Sequence, residues 1–277
     1  MPRLIQKSCL PESGYRQVVP LAKKPLEALG FGLANLAAGE SWEFDTKAAE
    51  WTLVVLSGAI RVYTAGGEIT HGPLGTRKNV FSGKASAVYL PPGFKGRVEA
   101  VTAAQVASCQ SLADAGMEPT VIMPDDVRVK TVGMHNWRRE VHDIVDLRLP
   151  ASRLLVGETF NCTGGWSSYP PHRHDEDRLP LEVNLEEVYY FQVDPPQGFG
   201  FQRVYTDDRS MDEAYAIEQG DTVVIPKGYH PVAAAPGYRV YYLWLMAGTG
   251  RVMCPFDDPQ HGWLKGVETV LKEVAKP

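Results

Sequence analysis

Three histidines and a glutamate in the second half of the chain have the residue types and spacing of a metal site. His172 and His174 are separated by one residue, Glu186 and Glu187 begin the apolar stretch "EEVYYFQV", and His230 follows the turn "IPKGY". On a β-strand, residues i and i+2 project from one face about 6.5–7 Å apart, so both imidazoles can reach one ion. A glutamate from the next strand and a histidine from a turn across the sheet would complete four ligands.

The ligand types leave the ion and the carboxylate open. Nitrogen and oxygen ligands suit Zn, Mn, Fe, Ni or Co, and the types alone do not choose among them. Glu186 and Glu187 each share a strand face with apolar residues, so alternation does not decide between them. The acids at 175–177 are expected to form a solvated loop. A lone histidine pair is common in surface loops, but the glutamate-led strand and the histidine after a Pro-x-Gly-aromatic turn favour a metal site.

The composition excludes several classes of function. Hydrophobic residues make up 44% and charged residues 22% of the 277 residues, and the formal net charge is −5. No run of Lys and Arg is present to neutralise phosphates, so we expect no nucleic-acid partner. No stretch has the character of a signal peptide or a membrane span, and the four cysteines form no CxxC pair. We therefore expect a cytoplasmic protein with no membrane partner.

The elements that must position these residues are predicted to be mostly short strands. Apolar stretches such as "WTLVVLS", "ASAVYL", "DTVVIP" and "YRVYYLWLMAG" are separated by turns rich in Gly and Pro. This pattern favours a sandwich or a small barrel. Helical periodicity appears only in "GWLKGVETVLKEVAK" at the end of the chain, which predicts one amphipathic helix packed on the outside of a sheet.

Two pairs of segments, about 135 residues apart, indicate an internal duplication. The stretch 83–101, "GKASAVYLPPGFKGRVEAV", parallels 218–236, "EQGDTVVIPKGYHPVAAAP". Upstream, the glutamate-led strands at 50–63 and 186–205 both end in Val-Tyr. Pro-Gly turns can repeat by chance in β-proteins, but the shared order and spacing of several elements favour duplication.

The two copies differ where the metal site would be. Trp42 and Phe44 stand in the region where paired histidines are expected in the first copy, and Lys95 stands where His230 follows the second turn. We therefore predict an N-terminal domain at 1–125 that lacks metal ligands. A C-terminal domain at 126–277, including the terminal helix, would carry the site.

These motifs resemble a known family. "HRH", "EEVYYFQV" and "GDTVVIPKGYH" are similar to the two-part cupin motif, and the duplicated layout is similar to a bicupin. "GGWSSYPPHRHD", the segment from "LEEVYYFQV" to "RSMDE", and "GDTVVIPKGYHPVAAAPGYRVYYLWLMAG" resemble the 5-deoxy-glucuronate isomerase family of myo-inositol catabolism, over most of the chain. The resemblance implies an all-β bicupin fold, with two tandem antiparallel β-barrels of jelly-roll type and a C-terminal helix. Related 4-deoxy-uronate ketol-isomerases have the metal glutamate at the head of an "EVY" strand, which points to Glu187.

The resemblance also implies a reaction. The substrate would be the sugar acid 5-deoxy-D-glucuronate and the product 5-dehydro-2-deoxy-D-gluconate, through an aldose–ketose exchange between C1 and C2. A divalent ion on His172, His174, Glu187 and His230 would acidify the C2 proton and stabilise the developing enediolate. The proton-transfer residue is left open among Glu186, Tyr205, Tyr242 and a metal-bound hydroxide. Candidates for binding the substrate carboxylate are Arg203, then Arg139, then Lys227.

Two other functions fit the same site residues. A cupin with Fe(II) could be a dioxygenase, which would consume oxygen. A bicupin could also bind a sugar acid without turnover, with a structural metal or none. The fold does not separate these functions, and the match of individual motifs favours the isomerase. Because symmetric oligomers are common, we expect a homodimer.

Overall fold

The computed structural model describes residues 3–113 and 118–274, and nearly all of its regular structure is β. The one α-helix of the described residues, α1, spans Trp263–Val274, and a single 3₁₀ turn spans His135–Trp137. The strands are β1 (Ile5–Gln6), β2 (Gly14–Val19), β3 (Leu29–Leu36), β4 (Ser41–Asp45), β5 (Ala49–Ser57), β6 (Ile60–Thr64), β7 (Gly67–Glu68), β8 (Ser86–Leu90), β9 (Lys95–Ala100), β10 (Ala104–Leu112), β11 (Thr120–Ile122), β12 (Arg128–Val132), β13 (Arg139–Val145), β14 (Leu155–Asn161), β15 (Trp166–Ser167), β16 (His172–Arg173), β17 (Leu185–Asp194), β18 (Phe199–Tyr205), β19 (Asp212–Glu218), β20 (Thr222–Ile225), β21 (Val232–Ala234), β22 (Arg239–Gly248) and β23 (Phe256–Asp257).

The first half of the chain forms one antiparallel barrel. A six-stranded sheet in the order β11-β8-β5-β10-β3-β2 faces a four-stranded sheet in the order β4-β9-β6-β7. One hydrophobic core lies between them and draws side chains from both sheets, such as Leu53 of β5 and Val98 of β9. Alternating inward side chains on two facing sheets are typical of a jelly roll.

The second half repeats this arrangement around its own core. A seven-stranded sheet in the order β1-β20-β17-β22-β14-β13-β12 faces a four-stranded sheet in the order β15-β21-β18-β19, and β16 pairs with β23. Phe191 of β17 and Ile217 of β19 belong to the core between the sheets. The edge strand β1 comes from the start of the chain, where Ile5 pairs with Val223. The all-β bicupin fold predicted from the sequence is confirmed.

The two large sheets pack against each other through a third core. This core contains side chains from β3, β5, β8 and β10 of the first barrel and from β14, β17, β20 and β22 of the second. Phe31 of β3 meets Tyr190 of β17 with ring centroids 5.7 Å apart. Strand β17 is therefore buried on both faces, one lining its own barrel and one lining the contact between the barrels.

Two glutamates at matching places in the two barrels join the halves reciprocally. Glu50 of β5 accepts backbone N–H bonds of 2.6, 2.6 and 2.7 Å from residues 152, 153 and 154, just before β14. Glu186 of β17 accepts bonds of 2.5, 2.9 and 3.4 Å from residues 27, 28 and 29, at the start of β3. Each carboxylate thus satisfies backbone donors of the opposite half, in charge-assisted hydrogen bonds that are stronger than neutral ones.

The C-terminal helix forms where the periodicity predicts it, but most of its apolar stripe is not buried. Trp263 is 63% and Val270 61% exposed, and no residue of α1 is fully buried. Polar contacts join the helix to the body, including a 2.6 Å ion pair between Lys265 and Asp257. None of the described helices is long and apolar enough to cross a membrane.

Candidate metal centre

The candidate ligands come together from three places in the second barrel. His172 lies in β16 and His174 directly follows that strand, Glu187 lies in β17, and His230 follows the Pro-Lys-Gly turn after β20. The donor atoms of His174, Glu187 and His230 all lie within 4.8 Å of one another, and all three residues are buried. His174 and His230 are 56 positions apart in the sequence, so only the tertiary fold brings them together.

Both imidazoles in this cluster turn the same nitrogen toward the carboxylate. His174 Nε2 lies 3.1 Å and His230 Nε2 3.2 Å from Glu187 Oε2. The Nδ1 atoms face backbone carbonyls instead, that of Leu185 for His174 and that of Gly228, at 2.8 Å, for His230. A histidine that donates from Nδ1 to a carbonyl presents the lone pair of Nε2, which is how metal-binding histidines are usually held.

One buried atom of the cluster lacks a protein partner. His230 is fully buried, and its Nε2 makes no hydrogen bond to any described residue, since its approach to Glu187 has the distance but not the geometry of one. Buried polar atoms are normally satisfied. Two imidazole nitrogens and a carboxylate oxygen aimed at one point therefore fit a cation between them.

His172 lies beside the cluster rather than within its tightest part. Its ring centroid is 5.0 Å from that of His230 and 6.5 Å from that of His174. Burial, together with the two neighbouring imidazoles, holds the pKa of His172 well below its usual range, so the ring is neutral. A neutral imidazole next to the cluster can supply a fourth ligand.

The carboxylate of the cluster is ionised despite its burial. Burial by itself raises the pKa of Glu187, but its close contacts with His174 and His230 outweigh burial and lower the pKa to about 2. Glu187 is therefore ionised at neutral pH. A divalent cation requires an ionised carboxylate of this kind among its ligands.

The cluster opens into a cavity of about 340 Å³. Ligand cavities for small molecules commonly fall in the range of about 300–1,000 Å³. Apart from the cluster, its polar lining includes Lys130, Arg139, Ser168, Tyr189, Tyr242 and Lys265. Its cations are Lys130, Arg139 and Lys265, and its acids are Glu187 and Asp257.

Arg139 is the cation of this cavity that forms no ion pair with a described residue. Its Nη1 donates to the carbonyls of Tyr169 at 3.1 Å and Trp137 at 3.3 Å, and no carboxylate among the described residues lies within ion-pair distance. Burial lowers the pKa of this guanidinium, yet from so high a value that it stays charged. Lys130 and Lys265 are instead paired, with Asp143 at 2.9 Å and with Asp257 at 2.6 Å.

Two stacked tyrosines form part of the cavity wall next to the cluster. The rings of Tyr189 and Tyr242 are stacked with centroids 4.3 Å apart. Ser168 Oγ lies 2.9 Å from the Tyr189 hydroxyl and 3.4 Å from the Tyr242 hydroxyl. The Tyr242 hydroxyl donates a hydrogen bond to Ser167 Oγ at 2.8 Å. Burial raises the pKa of both phenols, so they remain protonated donors. Of these two tyrosines, Tyr242 is predicted from the sequence and Tyr189 is not, although Tyr189 shares a strand face with Glu187.

The structure does not bring Glu186 or Lys227 to the cavity. Strand alternation turns Glu186 to the opposite face of β17 from Glu187, where its carboxylate is occupied by the N–H groups of residues 27–29. Lys227 is exposed on the turn before His230. Neither residue is placed to contact a ligand held by the histidines.

Arg203 and Tyr205 lie on the outer sheet and line a different cavity. Arg203 is exposed and makes two bonds of 2.7 Å to the carboxylate of Asp212 on the neighbouring strand. The Tyr205 hydroxyl donates to Asp258 Oδ2 at 2.7 Å. Of the predicted substrate and proton-transfer residues, Arg139 and Tyr242 therefore line the cavity of the cluster.

The acidic loop after His174 is less solvated than predicted. Glu176 and Asp177 are exposed as expected, but Asp175 is half-buried and accepts the Gly228 N–H at 2.7 Å. This bond holds the turn that carries His230, at a glycine with φ of 93°. The sequence gives no sign of it, because the two residues are 53 positions apart.

Comparisons with known proteins identify the family of the chain. The model of the KduI/IolB family matches residues 4–264. A 5-deoxy-glucuronate isomerase of Geobacillus kaustophilus is 42% identical over 251 residues, 90% of each chain. One of Halalkalibacterium halodurans is 43% identical over 86% of this chain and 88% of its own.

Among solved structures, an IolB-like protein from Salmonella typhimurium LT2 is similar with a TM-score of 0.90 and 37% identity, over 95% of this chain and 99% of its own. The oxalate decarboxylase of Lactobacillus farciminis, in a formate complex, matches with a TM-score of 0.64 over 96% of this chain and 89% of its own. At 14% identity that second likeness concerns the fold alone.

Proposed function

Because the chain belongs to the KduI/IolB family, we propose that it is a 5-deoxy-glucuronate isomerase, which converts 5-deoxy-D-glucuronate to 5-dehydro-2-deoxy-D-gluconate in myo-inositol catabolism. The relatives of that name cover most of the chain at more than 40% identity. The structural observation that carries the proposal is the unpaired guanidinium of Arg139 in the same cavity as the His/Glu cluster. A uronate has a carboxylate that can bind the guanidinium and a reacting carbonyl end that can face the His/Glu cluster.

We propose His172, His174, Glu187 and His230 as the ligands of a divalent ion, Zn, Mn, Fe, Ni or Co. The support is the convergence of two Nε2 atoms on an ionised, buried carboxylate, with His172 next to them. When bound, such an ion supplies Lewis acidity, which makes the proton on the carbon next to a carbonyl easier to remove.

Arg139 would bind and orient the substrate carboxylate. Its two contacts are to neutral backbone carbonyls, so its positive charge is free to attract an anion. A planar guanidinium can hold a carboxylate through two parallel hydrogen bonds, which fixes orientation as well as position. The aldehyde end of the substrate would then face the histidines.

Tyr242 is the predicted proton-transfer residue that lines the cavity. In the exchange, C2 loses a proton and its hydroxyl becomes a carbonyl, while C1 gains a proton and its carbonyl oxygen becomes a hydroxyl. A buried phenol with a raised pKa is a donor at neutral pH, so Tyr242 would give its proton to the C1 oxygen and regain one from the C2 hydroxyl, while the proton removed from C2 is returned to C1. Tyr189 stacks on its ring, and Ser167 accepts the hydrogen bond of its hydroxyl at 2.8 Å.

A proton NMR time course with 5-deoxy-glucuronate in deuterated water, with and without a chelator, tests this function. We expect chelator-sensitive formation of the keto acid. The variant Arg139→Lys should raise KM at least about 10-fold, because an ammonium cannot replace a bidentate guanidinium. Arg203→Lys is the matched control and should not change KM, since Arg203 is exposed and bound to Asp212. Oxygen uptake without keto acid would favour a dioxygenase, and binding without turnover would favour a binding protein.

We also propose the division of the chain into a ligand-free domain at 1–125 and a metal-binding domain at 126–277. The two barrels with separate cores support it, although β1 joins the sheet of the second barrel. A homodimer in the cytoplasm remains a prediction from the sequence. Light scattering on the purified protein would measure the number of subunits.

A further inference from the structure

We propose that a second cavity, between the two halves of the chain, binds a small organic anion through a carboxylate or phosphoryl group. This cavity has a volume of about 560 Å³. Residues 80–84 of the first half form one side, and strands β13, β14 and β22 of the second half form the other. The His/Glu cluster and its cavity of about 340 Å³ lie on the opposite face of β13 and β14, where Val141 and Thr159 line that cavity.

The lining of this second cavity is strongly cationic. Lys84, Arg138, Arg139 and Arg239 contribute to it, against one acid, Glu140. Arg239 is paired with Asp194. Among the described residues, no carboxylate pairs with Lys84, which donates to the carbonyl of Val127 at 3.2 Å, or with Arg138. Cations gathered in a concave site without counter-charges attract anions.

Buried polar groups in the same lining also lack partners. His142 is 8% and Asn161 2% exposed. Neither ring nitrogen of His142 and neither amide atom of Asn161 forms a hydrogen bond with a described residue. The carboxylates of Glu140 at 3.7 Å and Glu158 at 3.9 Å are within ion-pair distance of the His142 ring but beyond hydrogen-bond distance. Buried polar atoms normally have partners, so these donors and acceptors indicate a polar ligand.

The apolar part of the lining indicates that the anion carries an organic body. Phe160 packs against the His142 ring with centroids 4.6 Å apart, and Val80 and Phe81 lie on the other side of the cavity. Such a combination of apolar walls with a few polar groups is typical of small-molecule sites. Inorganic ions would use the cations but leave these walls uncovered.

Histidine side-chain NMR on the purified protein tests this site directly. The imidazole signals of His142 are those that are absent from the spectrum of the His142→Gln variant. The wild-type protein is then titrated with D-glucuronate and, in a separate experiment, with inorganic phosphate. We expect a saturable shift of the His142 signals with at least one probe. Saturation by glucuronate identifies carboxylate binding, and saturation by phosphate identifies phosphoryl binding. Absence of a saturable shift with both probes would overturn the proposal.

Charge variants distinguish binding in this cavity from binding near the His/Glu cluster. The double variant Lys84→Ala/Arg138→Ala should raise the dissociation constant from the His142 titration at least about 10-fold, because two of the three unpaired cations of the lining are lost. Arg139 is left intact, since it also lines the metal cavity. Lys23→Ala, which removes an exposed cation elsewhere, is the control and should not change the titration. An unchanged titration in the double variant would also overturn the proposal.

Discussion

Strands β5 and β17 occupy equivalent places in the two barrels. They share a glutamate that bonds to the opposite half, and they differ in the residue that follows it. Each has a glutamate, Glu50 or Glu186, that accepts three backbone N–H bonds from the opposite half. The next residue faces into its own barrel, and it is Trp51 in β5 and Glu187 in β17. Trp51 pairs with Leu90 and Glu187 with Ile225, each directly before a Pro-x-Gly turn, so the registers agree.

In the first barrel, aromatic rings fill the space that holds the candidate metal ligands in the second barrel. The ring of Trp42 lies 6.1 Å from that of Trp51, 6.3 Å from that of Phe44 and 4.1 Å, stacked, from that of Tyr15. Lys95, at the place of His230, is exposed and pairs with Asp45 at 3.2 Å. A barrel without ligands must close its interior with apolar volume, because an empty core loses both transfer energy and packing. The two halves thus share their strand framework, and they differ in the side chains of the interior, which are aromatic in the first barrel and candidate metal ligands in the second.

The largest effect is expected from Glu187→Gln, which removes the charge of the cluster and keeps its shape. Bound metal measured by plasma mass spectrometry should be lost. Activity should fall about 10³-fold, since the charge stabilisation by a metal ion is worth several kcal/mol. Full activity with no metal would contradict the assignment of the site. Circular dichroism should show an unchanged fold, as the first barrel folds with Trp51 at this place.

A smaller loss is expected from Tyr242→Phe. In the first barrel the matching registers place Leu53 and Val106 where the second has Tyr189 and Tyr242, so only the second barrel has hydroxyls there. Loss of a proton donor should lower kcat about 10²-fold and leave the metal content unchanged. Steady-state kinetics checks this.

Tyr190→Phe is the matched control for that experiment. Tyr190 lies in β17 next to Tyr189 but faces the other barrel, and its hydroxyl has one weak contact, with Gln192 at 3.5 Å. Its kcat should equal that of the wild type. An equal loss in both variants would show that the effect comes from packing and not from the hydroxyl of Tyr242.

The reciprocal glutamates should affect stability instead of chemistry. Hydrogen bonds to a charged acceptor are worth more than neutral ones, so Glu50→Gln should lower the free energy of unfolding by about 3 kcal/mol. Glu186→Gln should lower it by about 1–2 kcal/mol, since Glu186 is half-buried and Glu50 fully buried. Urea unfolding measures both. Loss of activity in Glu186→Gln at unchanged stability would return Glu186 to the catalytic candidates.

The sequence predicts the fold well because the fold depends on local patterns, while the metal ligands stay a prediction. Strand alternation, Pro-x-Gly turns and the histidine spacing all survive in the structure. Strand alternation alone could not choose between Glu186 and Glu187, because β17 is buried on both faces and both faces are apolar. The sequence ranked Arg203 above Arg139, because only tertiary structure shows that Asp212 neutralises the first and that the second forms no ion pair with a described residue.

The smallest effect is expected from Lys95→His in the first barrel. The substitution restores the histidine that follows the turn, yet Trp42, Phe44 and Trp51 still occupy the places of the other ligands. One imidazole without a neighbouring carboxylate binds a divalent ion weakly, so the metal content should stay at the wild-type value. An additional equivalent of metal would mean that the first barrel retains a hidden ligand set. The difference between the halves would then depend on one residue and not on the aromatic filling.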